Sequence, residues 1–311
     1  MNLGISRSQI LALALMVACI ALLPLVLYPV FLMKVMCYAL FACAFNLVLG
    51  YAGLLSFGHA AFFGTGAYVG AWTAKALMLT PELAILCGGA TGGLLGMAFG
   101  FLAIRRQGLD FAMITLALAQ MTYFFYLQAP FTNGEDGIQK VPRGDALGVL
   151  SLEPDMTMYW FVSAIFLGGF GFIYRIVHSP FGNVLKGIRE NEARASSLGY
   201  RANSYKLIAF GLSAFLAAIA GATKTHVFGI ATLSDVSLET SSLVLLMALL
   251  GGKGTIFGPI VGAILVVSME SKLATMGSWV MIAQGIVFIA CVLLFRRGIV
   301  GEINRGLRTS L

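Results

Sequence analysis

Apolar runs of roughly 20 residues recur along almost the whole chain, and each is long enough to cross a bilayer core as a helix rising about 1.5 Å per residue. Gly, Pro and charged residues punctuate them. Spans are expected near residues 10–29, 35–51, 58–78, 84–104, 109–129, 157–177, 207–228, 237–252, 256–273 and 278–295. Hydrophobic residues make up 59% of the chain and charged residues 11%, against roughly 25% charged in soluble domains. So little polar surface leaves no room for a sizeable aqueous domain. The expected fold is all-α, a polytopic membrane protein of about ten transmembrane helices with some short or broken spans, in one domain covering residues 1–311.

Charge orients these spans. If they alternate, Arg105 and Arg106, the polar segment 179–206 and the Arg296, Arg297, Arg305 and Arg308 tail share one side. The positive-inside rule makes that side cytoplasmic, with both termini on it. The long loop from Pro130 to Met156, carrying Glu135, Asp136, Asp145, Glu153 and Asp155 against Lys140 and Arg143, then faces outward. The net charge of +7 reads as topology and anionic headgroups rather than a nucleic-acid footprint. The run from Ile10 to Leu27 is longer than a signal-peptide core and lacks a convincing cleavage site, so a retained first span is expected. Cys19, Cys37, Cys43, Cys87 and Cys291 lie in apolar runs with no C-x-x-C pair and no nearby His, which reads as packed thiols and no metal site.

The polar segment Ser179–Lys206 holds seven of the 33 charged residues between two membrane-length runs. Ser179-Pro180 offers an N-cap and a first-turn proline, and Gly199 offers a stop. One helix of about five turns is expected between them. Val184, Leu185, Ile188, Ala195 and Leu198 recur at helical spacing, and Lys186 with Glu190, then Glu190 with Arg194, are placed for i,i+4 pairing. By pattern alone the simplest reading is an amphipathic helix resting in the lipid interface.

Two glycine clusters should interrupt helix. One runs from Gly50 through Gly53 to Gly58 and His59, the other from Gly251, Gly252 and Gly254 to Gly258 and Pro259. Irregular backbone at membrane depth survives only where protein or a wet cavity satisfies its polar groups, so broken helices beside a translocation path are one reading. Tight turns at the membrane surface are the other, and this suits the second cluster because Lys253 sits comfortably at an interface. For the first cluster both readings stand, with Asn46, Ser56 and His59 placing polar groups around the break.

The stretch Ile188-Arg-Glu-Asn-Glu-Ala-Arg-Ala-Ser-Ser-Leu-Gly199 resembles the coupling segment of M-type permeases in ABC importers for branched-chain amino acids. Asn46 to Gly64, Asp110 to Gln120, Phe131 to Gly137 and Leu249 to Pro259 are similar to further signatures of that family, in family order. The resemblance covers about residues 30–300. It implies a permease paired with a paralogous permease as a heterodimer, two cytoplasmic ATPase subunits and a periplasmic binding protein, in a bacterial inner membrane. Ile188, Arg189, Glu190, Asn191, Glu192, Arg194, Ala195 and Gly199 would form the segment that sits in a groove of the ATPase.

No cofactor is expected on this chain itself, with ATP and Mg bound by the partner subunits. The Gly252-Lys253 pair fails as a Walker A loop, because Gly254 follows where Ser or Thr is needed and Met247 holds the first Gly position. A zwitterion crossing the membrane needs polar or wet lining, and Asn46, Ser56, His59, Thr65, Thr115 and Gln120 are the candidates, each otherwise an interhelical hydrogen-bond partner. Related permeases for urea, short-chain amides or other small polar solutes share these motifs. A distant alternative is an intramembrane enzyme using Ser56 and His59 as nucleophile and base, although no carboxylate lies near His59 in sequence to orient it.

Overall fold

The computed structural model describes residues 7–106, 108–146, 148, 150–273, 285, 286, 289 and 298–302. The last expected span, 278–295, falls outside the described residues apart from isolated positions. Eleven α-helices are named here in chain order: α1 Arg7–Leu22, α2 Pro29–Asn46, α3 His59–Ala76, α4 Pro81–Ala103, α5 Leu109–Gln128, α6 Asp155–Val177, α7 Pro180–Glu190, α8 Glu192–Ser197, α9 Ala202–Phe228, α10 Leu238–Gly251 and α11 Gly258–Leu273. Proline opens α2, α4 and α7, where its missing N–H costs nothing and its fixed φ suits the first turn. A wide π-helical turn, Leu47–Ala52, prolongs α2.

Five of these segments are long and apolar enough to cross a membrane by length and composition: Pro29–Ala52, Pro81–Ala103, Leu109–Gln128, Asp155–Val177 and Ala202–Phe228. Helices α3, α10 and α11 are shorter, at 18, 14 and 16 residues. At about 1.5 Å per residue they rise about 27, 21 and 24 Å, below the roughly 30 Å of a hydrocarbon core. Shortness has a common cause, since each of the three begins or ends at a glycine-rich break.

Helix α9 is the central post, packed against α2, α3 and α4. Small residues set that packing. A Cβ on Gly66 of α3 would lie 2.0 Å from the Ala218 carbonyl oxygen, and one on Gly221 of α9 would lie 1.9 Å from that of Phe63. Gly92 and Gly96 of α4 leave the space that the methyls of Ala218 and Ala214 fill. Lipid tails are as apolar as Leu, so no hydrophobic force drives helix to helix, and close van der Waals approach has to hold the bundle. The glycines make that approach possible.

The two ends of the bundle differ. One carries the loop 129–154 and four two-residue strands, β1 Ile138–Gln139, β2 Asp145–Ala146, β3 Leu150–Ser151 and β4 Ile230–Ala231. Strand β1 pairs antiparallel with β4, Ile138 opposite Ala231, which ties the loop to the end of α9. Lys75 from the end of α3 donates to the Gln139 carbonyl at 3.0 Å, and Lys34 meets Glu270 at 3.2 Å. After β4 the chain turns inward through Leu233–Val236, where Asp235 accepts from Lys224 at 2.7 and 2.8 Å. Lys224 thus sits near the loop end of its helix with its charge answered inside the protein. The opposite end carries α7, α8 and both glycine-rich links.

Substituting Gly66 or Gly221 by Val should separate α3 from α9 and cost about 1–3 kcal/mol or more, as overpacked cores do. Thermal unfolding of the detergent-solubilised protein should register this as a clear loss of Tm, whereas Val at Gly168, which has nothing within 4 Å, should leave Tm near wild type.

Candidate functional site

The polar segment, the α2–α3 link and the α10–α11 link meet in one joint. Gly53 closes α2 in the left-handed region, φ +73°, and the N–H groups of Gly53 and Leu54 both return to the Val48 carbonyl. The α10–α11 turn is likewise glycine-built, with Gly252 at φ +122° and Gly254 at φ +79°. A Cβ on Gly251 would lie 1.8 Å from the Gly258 carbonyl, so the two helices meet nearly backbone to backbone.

Asn46 joins the two links. Its Nδ2 donates to the Thr255 carbonyl at 2.8 Å and its Oδ1 accepts from the Gly254 N–H at 3.0 Å. Both ends of one buried amide are therefore spent on an irregular backbone about 200 residues away in sequence, which is the satisfaction such backbone requires inside a membrane protein. Gly50 must be small here, because its Cβ would meet Asn46 Oδ1 at 2.4 Å and the Gly254 nitrogen at 2.5 Å.

Arg189 reaches into this joint from α7. Its guanidinium donates to the Gly50 carbonyl, a Cβ on Gly254 would lie 3.2 Å from its Nη1, and one on Gly53 would lie 2.8 Å from its Cγ. One side chain touches both glycine links while remaining partly open to solvent. Beside it, Lys186 lies 5.5 Å from the Tyr51 ring centroid. Burial, reinforced by the neighbouring Arg189 charge, holds the Lys186 ammonium below the usual lysine value.

The expected single helix from Ser179 to Gly199 is instead two. Ser179 caps α7 by accepting from the Gly182 N–H at 3.3 Å, and Gly199 ends α8 at φ +90°. Between them Asn191 leaves the helical region, φ −156° and ψ 99°, and its side chain accepts from the Arg194 N–H at 2.9 Å. Asn and Asp side chains compete for backbone donors in this way, and the capping bond they offer starts a new helix. The break carries Arg194 off the face that would pair it with Glu190, and neither expected pair, Lys186–Glu190 nor Glu190–Arg194, forms. Glu192 instead holds Lys206 at 2.7 Å. Leu185, Ile188 and Ala195 are buried as the spacing indicates, whereas Leu198 is 72% exposed beyond the break.

The polar candidates within the spans separate into groups. Ser56, His59 and Thr115 gather at the buried start of α3: the Ser56 hydroxyl accepts from the Gly58 N–H at 3.2 Å, and the Phe57 N–H donates to Thr115 Oγ1 at 3.3 Å. Ser241 of α10 accepts from the Ala60 N–H at 3.1 Å, meeting one of the orphan donors of that first turn. His59 is fully buried among Phe45, Phe62 and Phe210, with Nε2 3.0 Å from the Ser213 hydroxyl, which in turn donates to the Ala44 carbonyl at 2.5 Å. His59 is thus paired with Ser213 and not with Ser56, so the nucleophile and base considered for Ser56 and His59 do not face each other. Thr65 is buried further along α3 near the stacked Tyr68–Tyr126 pair, and Asn46 belongs to the joint. Gln120 lies apart, half-buried beside the exposed row Met113, Ala117, Met121 and Phe124 of α5.

Ser213 and Ser241 lie in no stretch that the sequence singles out, and Thr255 and Lys206 lie in such stretches without their roles being legible there, since each matters only through a partner more than ten residues away. Among the described residues no group of three or more His, Cys, Asp or Glu is placed to hold a metal ion.

The family model for the permease component of branched-chain amino acid transport systems matches residues 28–294. The chain belongs to this family. Among its relatives is the high-affinity branched-chain amino acid transport system permease protein LivM of Escherichia coli (strain K12), 26% identical over 273 residues, 80% of this chain and 64% of that protein. This family member therefore spans a little under two thirds of the LivM proteins it matches. The ribose import permease protein RbsC of Bacillus subtilis (strain 168) is 28% identical over 234 residues, 70% of this chain and 69% of that protein. The autoinducer 2 import system permease protein LsrC of Klebsiella pneumoniae is 28% identical over 195 residues, 59% and 53%. No solved structure matches this permease-family chain.

Because Asn46 and Arg189 serve one joint, Asn46→Ala and Arg189→Ala should not act independently. Loss of the buried amide should cost about 1–3 kcal/mol, and a double-mutant cycle read by thermal unfolding should give a coupling of about 0.5 kcal/mol or more. Strict additivity would mean that the two side chains hold separate structures.

Proposed function

We propose that this chain is the membrane-spanning permease subunit of an ATP-driven importer for branched-chain amino acids. The observation that carries the proposal is the Arg189 contact with both glycine links, because it joins an exposed polar segment to the two places where the helical bundle is interrupted. A lever needs such an attachment. ATPase subunits carrying ATP and Mg would grip α7 and α8 on the cytoplasmic face, and nucleotide-driven closure would tilt them as a rigid body. Arg189 would pass that motion to α2, α3, α10 and α11 together, since their ends share the joint. Ile188 and Ala195 anchor the lever in an apolar cluster with Ala202, and the Glu192–Lys206 bridge holds the start of α8 to α9.

On this reading a paralogous permease completes the transport unit, and a periplasmic binding protein delivers substrate to the loop end, in the inner membrane of a bacterium. The path would run along α5, where Gln120 gives a membrane-length helix a polar group beside its exposed Met-rich row. A polar side chain at such depth is favourable against a partner helix or a wet lumen and unfavourable against lipid. Membership of the family and likeness to two LivM proteins support branched-chain amino acids as substrate. A second reading keeps the mechanism and changes the solute to another small polar molecule, favoured by the likeness to ribose permeases.

ATP-dependent uptake of labelled leucine into proteoliposomes, with the paired permease, ATPases and binding protein added, is expected to be competed by isoleucine and valine. ATP-driven uptake of a different small solute with no leucine uptake would move the substrate, and uptake indifferent to ATP would reject the importer. Separately, Arg189→Glu or Glu192→Lys should leave the protein inserted and monodisperse but cut transport-stimulated ATP hydrolysis by about fivefold or more, the lower range of measured couplings between sites. Unchanged stimulation in both variants would remove α7 and α8 from the coupling role.

A further inference from the structure

An apolar groove of about 460 Å³ runs between α4 and α9, its lining including Ala90, Leu94, Met97, Ile208, Leu212 and Phe215. It opens outward, with Leu94 71%, Met97 40% and Ile208 47% exposed. A volume of that size suits a slender apolar occupant such as a hydrocarbon chain better than a helix about 10–12 Å across.

Charge at one end indicates what kind of chain. On α4 the row Ala90, Leu94, Met97 continues at helical spacing to Phe101 and Arg105, and the Arg105 guanidinium lies 5.2 Å from the Phe101 ring centroid. On α9 the row Phe215, Leu212, Ile208 continues back to Ser204 and Arg201, just before the first helical residue, Ala202. The two helices are antiparallel here, since Gly96 packs on Ala214 and Gly100 on Leu207, so both arginines fall at the same end. That end is the one bearing α7. Arg105 and Arg201 are both exposed, and among the described residues neither has an ion pair or side-chain hydrogen bond. A guanidinium is built for bidentate contact with phosphate oxygens, and cationic residues at a membrane surface favour anionic headgroups.

We infer that the α4–α9 groove is a binding site for an anionic glycerophospholipid, its acyl chain lying along Leu94, Met97 and Ile208 and its phosphate held by Arg105 and Arg201 in the leaflet on the α7 side. The bound chain covers the seam between two helices that touch through glycines, and the headgroup bridges the α4–α5 turn and the start of α9. This site is independent of the transported solute.

The test is native mass spectrometry of the full-length protein, delipidated in mild detergent and titrated with phosphatidylglycerol or phosphatidylcholine of matched acyl chains. Wild type is expected to bind phosphatidylglycerol in clear preference. The double variant Arg105→Gln with Arg201→Gln should weaken that binding about thirtyfold, from about fivefold per basic residue, and should erase the preference. Ala90→Phe, a change at an exposed rim position that leaves the helix contacts alone, should lower binding of both lipids while size-exclusion behaviour stays that of wild type. Equal binding of the two lipids by wild type, or undiminished phosphatidylglycerol binding by the arginine variant, would overturn the inference. So would disulfide capture of a second polypeptide by Ile208→Cys in native membranes, which would make the groove a protein interface.

Discussion

The two hydrogen bonds of the Asn46 amide are the contact on which the rest of the arrangement depends. Backbone that leaves helical geometry loses its internal partners and, where protein covers it, needs new ones from neighbouring groups. The α10–α11 turn meets this demand at Gly254 and Thr255 by taking both the acceptor and the donor of Asn46. The cost of an unsatisfied buried polar group exceeds the net gain of making one bond, so this amide matters more for what it prevents than for what it adds. Because the same side chain sits in the last turn of α2, satisfying one break fixes the position of the other.

From that joint the architecture follows outward. Short helices are possible only because their buried ends are answered: Ser241 meets the start of α3, and Ser213 and His59 occupy each other beside the Ala44 carbonyl. Close helix approach is possible only because glycine faces carbonyl or alanine across the α3–α9 and α4–α9 contacts. The two economies are linked, since a bundle that cannot use hydrophobic association must rely on near approach and on hydrogen bonds between helices. Arg189 adds the third component, a charge that enters the joint from outside while its flank remains open.

Much of this was legible from residues alone. Membrane spans announce themselves by length and apolarity, and the observed limits of α4, α5 and α6 lie within a few residues of the expected ones. Ser179, Pro180 and Gly199 act through local backbone geometry, so their roles could be read where they stand. Asn191 marks the limit of that reading. Its neighbours have good helix propensity and suitable charge spacing, yet its own side chain offers a competing bond to the Arg194 N–H, and the helix divides there. Propensity and periodicity are sums over a window, whereas a cap is a single local decision.

The sequence by itself determined the medium in which this protein folds, the approximate helices, the two places where helix must fail and the polar segment set apart from the membrane. These are consequences of composition and of bonds within a few residues, which any fold of this chain would share. Only the tertiary structure decided that the two failures coincide, that Asn46 bridges them, that Arg189 reaches both and that His59 belongs to Ser213. Those partners lie between about 140 and 210 residues apart. No local pattern encodes such a pairing, because it depends on which helices can approach closely enough, and that is settled by packing the whole bundle at once.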